Sequence, residues 1–232
     1  MALIKYLANL GYGTRREVTA IVTGRRVTRA NGTVLSDTDP FSHTDVCVDG
    51  LPADPPPGAV LLLNKPVGFV CSTDDVPPLV YDLLPPRFLR RTPTMAPVGR
   101  LDRDTSGLLL FTDDGALNHR LTSPRSKLPK TYRATLAQDV DQLSIDVFRE
   151  GLILAEGERT SFAPAALTVL APRTVELSIT EGRYHQVRRM FAAIGNHVVT
   201  LQRIAIGRLT LGDVAEGTWR ELTDDDRALL VS

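Results

Sequence analysis

Four prolines fall within the eight residues from Leu51 to Gly58, LPADPPPG, and no other stretch restricts the possible folds so strongly. Proline fixes φ and lacks a backbone N–H, so this segment can enter neither a helix interior nor a central strand. It reads as a semi-rigid extended linker. The 232 residues therefore divide into an N-terminal unit of residues 1–50, a linker of residues 51–58 and a larger unit of residues 59–232.

In the first unit Leu3, Leu7 and Leu10 share one helical face, Gly11 and Gly13 interrupt it, and Thr14 is placed to cap a second helix with Val18, Ile21 and Val22 inward. Gly24 and then Asn31-Gly32 mark turns into short strands that end at Val46-Cys47-Val48. Lys5, Arg15, Arg16, Arg25, Arg26 and Arg29 face only Glu17 over this stretch, a local basic patch suited to phosphate whatever the total charge. A solvated helix face is the competing reading. This helix, turn, helix and ribbon resembles the S4-type RNA-binding domain, whose second helix contacts RNA backbone. Ala2 and Ile4 stand where that domain usually carries charge, and Arg29-Ala30 adds a residue before the Asn-Gly turn.

Beyond the linker, strand signals recur at Ala59 to Asn64, Phe69 to Ser72, Leu108 to Thr112, Thr131 to Leu136, Thr174 to Ile179, His197 to Ile206 and Trp219 to Leu222. Several alternate apolar and polar residues, as half-buried antiparallel strands do. Strict βαβα order is absent, so the expectation is an α+β domain with a mixed, largely antiparallel sheet. Helical spacing covers Val187, Met190, Phe191 and Ile194, with Gly195 as a stop.

Composition excludes several classes. Twenty-seven basic residues balance 27 acidic ones and 43% of the chain is hydrophobic, enough to bury a core. No apolar run approaches a membrane span and no leader pattern opens the chain, so a soluble cytoplasmic protein is expected. Cys47 and Cys71 fit no metal or redox spacing, and His43, His119, His185 and His197 make no metal pattern with them. Neither metal nor cofactor is expected.

The chemistry concentrates in GRLDRDTSGL, Gly99 to Leu108, where Asp102 lies between Arg100 and Arg103. Flanking arginines favour the ionised carboxylate, which suits a nucleophile or a stabiliser of developing positive charge. The same letters also make an ordinary polar loop. Asp104-Thr105-Ser106-Gly107 spells the DTSG of aspartic proteases, but those need two such loops to share a proton and one copy is present. The DxDxT phosphatase pattern fits poorly as well, because Pro97-Val98-Gly99-Arg100 replaces the apolar strand before its first aspartate.

GRLDRDTSGLLLFTDDG (Gly99 to Gly115), KTY (Lys130 to Tyr132) and EGRYHQVRRMFAAIGNHV (Glu181 to Val198), with LNKPVGFVCSTDD (Leu63 to Asp75) upstream, together resemble the RsuA family of RNA pseudouridine synthases. That resemblance implies Asp102 as the catalytic residue, Tyr132 as a platform against the target base, and Arg188 as the partner of Asp102. A planar guanidinium fork suits that pairing. Arg189, farther round the helix, is expected to face RNA or solvent, and His185 to be a structural hydrogen-bonding residue. Arg100 and Lys130 join the expected RNA contacts, within a second basic run of Arg120, Arg125, Lys127, Lys130 and Arg133 that would position rather than read RNA. RYHQVRRMFAAIGNHV is closer to the small-subunit enzymes than to the large-subunit ones. The expected partner is thus 16S ribosomal RNA, free or in a partly assembled small subunit, met by a monomer. A large-subunit (23S) target and a non-catalytic assembly factor remain the alternatives. Attack at C1′ of the ribose, addition to the base and a glycal route all stay open for Asp102.

Overall fold

The computed structural model describes residues 1–152 and 161–230; residues 231–232, the expected end of the larger unit, lie outside them. Helix α1 (Leu3–Asn9) buries Leu3, Tyr6 and Leu7 against α2 (Arg15–Thr23), which buries Val18 and Val22. Thr14 caps α2 in a reciprocal capping box with Glu17, so the local sequence signal and the structure coincide. Strands β1 (Val27–Arg29), β2 (Val46–Val48) and β3 (Leu51–Pro52) form a three-stranded antiparallel sheet beside these helices. β3 takes two residues from the proline-rich stretch. An edge strand tolerates Pro52 because its missing N–H is needed by no second neighbour.

The rest of that stretch is clamped rather than left as a free spacer. Asp54 is buried and ion-paired with Arg87, and its N–H donates to the Tyr12 hydroxyl over 2.9 Å. Arg91 and Asp113 form a buried pair at 2.7 Å, and Arg91 also donates to the carbonyls of Pro55 and Pro56. The Thr92 N–H donates to Asn9 O at 2.9 Å. At Gly11, a Cβ would lie 2.1 Å from Arg87 O, so only glycine permits this approach of the N-terminal unit.

The larger unit is built on a nine-stranded sheet. Its elements are β4 (Val60–Lys65), β5 (Ala96–Val98), β6 (Thr105–Thr112), α3 (Gly115–Thr122), β7 (Lys130–Leu136), α4 (Gln142–Glu150), β8 (Ala166–Ala171), β9 (Thr174–Ile179), α5 (Gln186–Ala193), β10 (Val198–Ile206), β11 (Leu209–Thr210), β12 (Trp219–Glu221) and α6 (Asp224–Ala228). The order is β12-β4-β6-β10-β7-β9-β8, with β5 on β6 and β11 on β10. Among the described residues of this sheet, only the β6–β10 pair is parallel. The mixed, largely antiparallel α+β architecture is therefore the observed one. Alternation sorts Leu61, Leu63, Leu109 and Phe111 to the face packed by α4 and α5, and Val60, Leu62, Leu108 and Leu110 to the opposite face. No helix among the described residues is long and apolar enough to cross a membrane.

One expected strand fails. Phe69 to Ser72 forms no strand beyond an isolated bridge between Val70 and Leu79, because Pro77 and Pro78 on the facing segment supply no N–H for a ladder. Removing one half of the buried Arg91–Asp113 pair would leave a stranded charge. Arg91→Met should therefore cost about 3–5 kcal/mol of unfolding free energy in urea titrations.

Candidate active site

A single cross-strand row builds the site. Lys65 on β4 pairs with Gly107 on β6, Gly107 with Arg203 on β10, Arg203 with Tyr132 on β7, and Tyr132 with Leu177 on β9. Paired residues share a sheet face, so two cations and a tyrosine fall in line. Gly107 lets the row close up. Its φ is +100° and a Cβ would stand 2.3 Å from Arg203 O, a position no other residue can fill without displacing backbone.

Lys65 is fully buried beneath the loop that carries Asp102. Its Nζ donates to the carbonyls of Thr105 (2.8 Å), Pro66 (3.0 Å), Asp102 (3.1 Å) and Arg103 (3.4 Å). Burial pulls the Lys65 pKa down, while the Cys71 thiol and then Asp104 and Asp102 oppose that shift. The loop is stitched further by Thr105 N–H to Asp102 O at 3.1 Å, and by Gly68 N–H to Arg103 O at 2.7 Å.

Above the row lies a cavity of roughly 540 Å³, lined among others by Arg100, Asp102, Thr105, Lys130, Tyr132, Tyr184, His185, Arg188 and Arg203. Its volume is in the range for a nucleotide-sized guest. Asp102 is 35% exposed at one wall, and the Tyr132 ring is 9% exposed. Tyr184, 76% exposed, stands at the rim and stacks on His185 with centroids 3.9 Å apart. Three buried polar atoms of wall residues, Thr105 Oγ1, Arg188 Nε and Arg203 Nη2, have no hydrogen-bond partner among the described residues. Leaving such atoms unsatisfied costs about 1–3 kcal/mol each, so a guest able to hydrogen-bond with them would be favoured here.

Three of the expected residues, Asp102, Tyr132 and Arg188, line this cavity, but not in the expected pairing. Arg188 Nη2 meets Asp104 Oδ2 at 2.8 Å and donates to Asp104 O at 3.2 Å, while Nη1 donates to Val198 O at 3.0 Å. The first turn of α5 aims the guanidinium at the loop backbone and the start of β10, where Asp104 is the carboxylate in reach. Asp102 instead faces His185, whose Nε2 is 3.5 Å from Asp102 Oδ1. His185 holds a left-handed backbone at φ 48° just before α5, a costly conformation for a side-chain-bearing residue. The neighbouring backbone is braced by buried Gln186, which accepts from Arg183 N–H and donates to Glu181.

The arginines flanking Asp102 make no ion pair with it among the described residues: Arg103 donates to Gly68 O, and Arg100 lies exposed in the cavity wall. Lys130 is half-buried in the cavity rather than on the outer surface. Arg189 lies 5.2 Å over the Phe162 ring and donates to Tyr184 O. Lys5, Arg15, Arg16 and Arg25 are exposed on the N-terminal unit. Arg26 sits in a two-pronged pair with Asp49, so its charge is already matched. Lys65 and Arg203 lacked a role in the sequence reading. Their signal was phase: each continues the inward face of its strand, Lys65 after Leu61 and Leu63, and Arg203 after Leu201.

Comparison with known proteins bears on the chemistry. A model of the family "RNA pseudouridylate synthase" matches residues 59–193. The chain is 42% identical to ribosomal small subunit pseudouridine synthase A of Escherichia coli (strain K12), with the whole of both chains covered. It is 40% identical to the uncharacterized RNA pseudouridine synthase YtzG of Bacillus subtilis (strain 168), covering 99% of this chain and 98% of that one. A solved pseudouridylate synthase structure superposes with a TM-score of 0.69 at 38% identity over both full chains.

Replacing the buried ammonium should loosen the loop without emptying space. Lys65→Met is expected to cost about 1.5–3 kcal/mol in denaturant unfolding, and to lower single-turnover rate at saturating RNA by at least about tenfold. Equal turnover in that variant would show that the carbonyl cage does not position the loop.

Proposed function

Since the chain belongs to the RNA pseudouridylate synthase family and isomerises uridine to pseudouridine, we propose that its target is a uridine of small-subunit (16S) ribosomal RNA. The observation that carries this reading is the 42% identity over the full length of a ribosomal small subunit pseudouridine synthase. The reaction breaks the bond from N1 of the base to C1′ of the ribose and rejoins the base through C5, with one proton leaving C5 and one arriving at N1. It needs no redox partner or group donor. Asp102 is the carboxylate assigned to the reacting nucleotide, and Tyr132 the face on which the extruded base lies. An aromatic platform supports a base taken out of its stack. Arg188 acts through Asp104 to hold the Asp102 loop, and so positions the loop rather than touching the reacting carboxylate.

Residues 1–50 serve as an S4-like RNA-binding unit, with β3 and the clamped proline-rich stretch leading into a catalytic unit from residue 59. Lys5, Arg15, Arg16 and Arg25 are its phosphate contacts, and Arg100 and Arg189 guide RNA beside the cavity. The protein works in the cytoplasm as a monomer on free or partly assembled small-subunit RNA.

Asp102→Asn keeps the side-chain volume and removes the charge. It should abolish pseudouridine formation while RNA affinity stays within about threefold, whereas Asp104→Asn should only slow the reaction. Chemical mapping of ribosomal RNA from cells lacking the protein should show one missing small-subunit pseudouridine; a missing large-subunit site, or none, would overturn the target.

The N-terminal arginines have their own signature. Arg15→Gln with Arg16→Gln should flatten the dependence of log affinity on log salt by roughly 0.7–0.9 for each phosphate no longer neutralised. An unchanged slope would make this patch a solvated surface.

A further inference from the structure

Two cations of the cavity, Lys130 and Arg203, are held in no ion pair among the described residues. Arg203 is 2% exposed; its Nε donates to Leu108 O at 2.7 Å, and its Nη2 is buried with no partner. Lys130 lies two residues before Tyr132 on β7, hence on the same sheet face, and both line the cavity with Arg203. Neither cation is in a salt bridge among the described residues. Of the two carboxylates that line the cavity, Glu181 is engaged with Arg183 and Gln186, and Asp102 faces His185. Burying an unpaired guanidinium costs several kcal/mol, and folding alone gains nothing from it.

We propose that Lys130 and Arg203 form a receptor for the carbonyl edge of the uracil ring, and that they stabilise the negative charge placed on that ring when the C1′–N1 bond breaks. The inference rests on the uridine-isomerising reading of this cavity and deepens it. Heterolysis leaves the bonding electron pair on the base, and the charge spreads over N1, O2 and O4. C5 then bonds to C1′ and gives up its proton, N1 takes one up, and no atom is gained or lost. A free uracil anion that must turn over before rejoining needs fixed positive charge along its edge. Tyr132 offers a face, and the two cations flank that face in the same plane of the sheet: Arg203 directly across on β10, and Lys130 along β7. Backbone phosphates fit this place poorly. Arg203 is buried at the sheet surface, whereas Arg100, which also lines the cavity, is exposed. Burial, and secondarily the charge of Arg203, pulls the Lys130 pKa down, as desolvation and a like charge nearby do for an ammonium.

The test compares Lys130→Gln, Lys130→Arg and Arg203→Lys with wild type, on an RNA that the wild-type protein modifies. First-turnover loss of the N-glycoside is followed at saturating protein, with RNA affinity measured separately. Two targets are used, uridine and 5-fluorouridine, because fluorine stabilises the departing base anion by itself. Lys130→Gln should slow uridine cleavage on the order of a hundredfold with affinity changed less than about threefold, and Lys130→Arg should recover most of the loss. The deficit should shrink about tenfold or more on 5-fluorouridine. A deficit equal on both targets, a loss confined to affinity, or no loss would each overturn the proposal, the second assigning these cations to phosphate. Lys130 is only half-buried, so its variants keep the test decisive even if Arg203→Lys unfolds. An inactive wild type on small-subunit RNA would count against the target alone, since the comparison is made on whichever RNA is turned over.

Discussion

A single buried ammonium holds the working part of this molecule together. Lys65 sits at the end of a strand that runs apolar from Val60 to Leu63, and its three protons are shared among four carbonyls, three of them from the loop at residues 102–105. A polar loop of that sequence has many turn geometries open to it, and carbonyls aimed inward would be costly without a donor. The lysine supplies the donor and selects one geometry. Because its hydrogen bonds reach backbone rather than side chains, the loop's shape is insulated from its side chains, and Asp102 and Asp104 are left free to point to different partners.

The sheet turns that local constraint into a site. The parallel pairing of β10 with β6 draws Arg203 against Gly107, and the absence of a side chain at Gly107 lets the backbones meet. The antiparallel step to β7 then brings Tyr132 beside Arg203. A row of cation, gap, cation and ring is thereby assembled from four strands far apart in sequence, each residue placed by register alone.

What could be seen in the sequence was what is decided locally. Thr14 announces its cap, and the alternating strands β7 and β9 were identifiable from their period. The linker's prolines marked the boundary but not its clamping, which depends on Arg87, Arg91 and Asp113 from distant segments. β5 escaped notice because it contains Pro97 and is short. β8 did so because most of its residues are exposed and its inward positions are few. The Arg188 pairing was misjudged for a different reason. Two carboxylates two residues apart are equivalent in sequence, and only the path of the loop over Lys65 decides which one meets α5. Buried Arg203 resembled any basic residue near RNA-binding motifs until its strand gained neighbours.

The clamp between the two units also has a geometric meaning. Asn9 is bonded to Thr92, Gly11 abuts Arg87, and the proline carbonyls are gripped by Arg91. The exposed arginines of α2 are consequently held at a set offset from the cavity mouth, rather than swinging on a string. With α2 as the proposed RNA contact, such a body would act as a caliper. A polymer gripped at one jaw can present to the other only those nucleotides whose path length and bend match the gap, so shape can be discriminated before any base edge is touched.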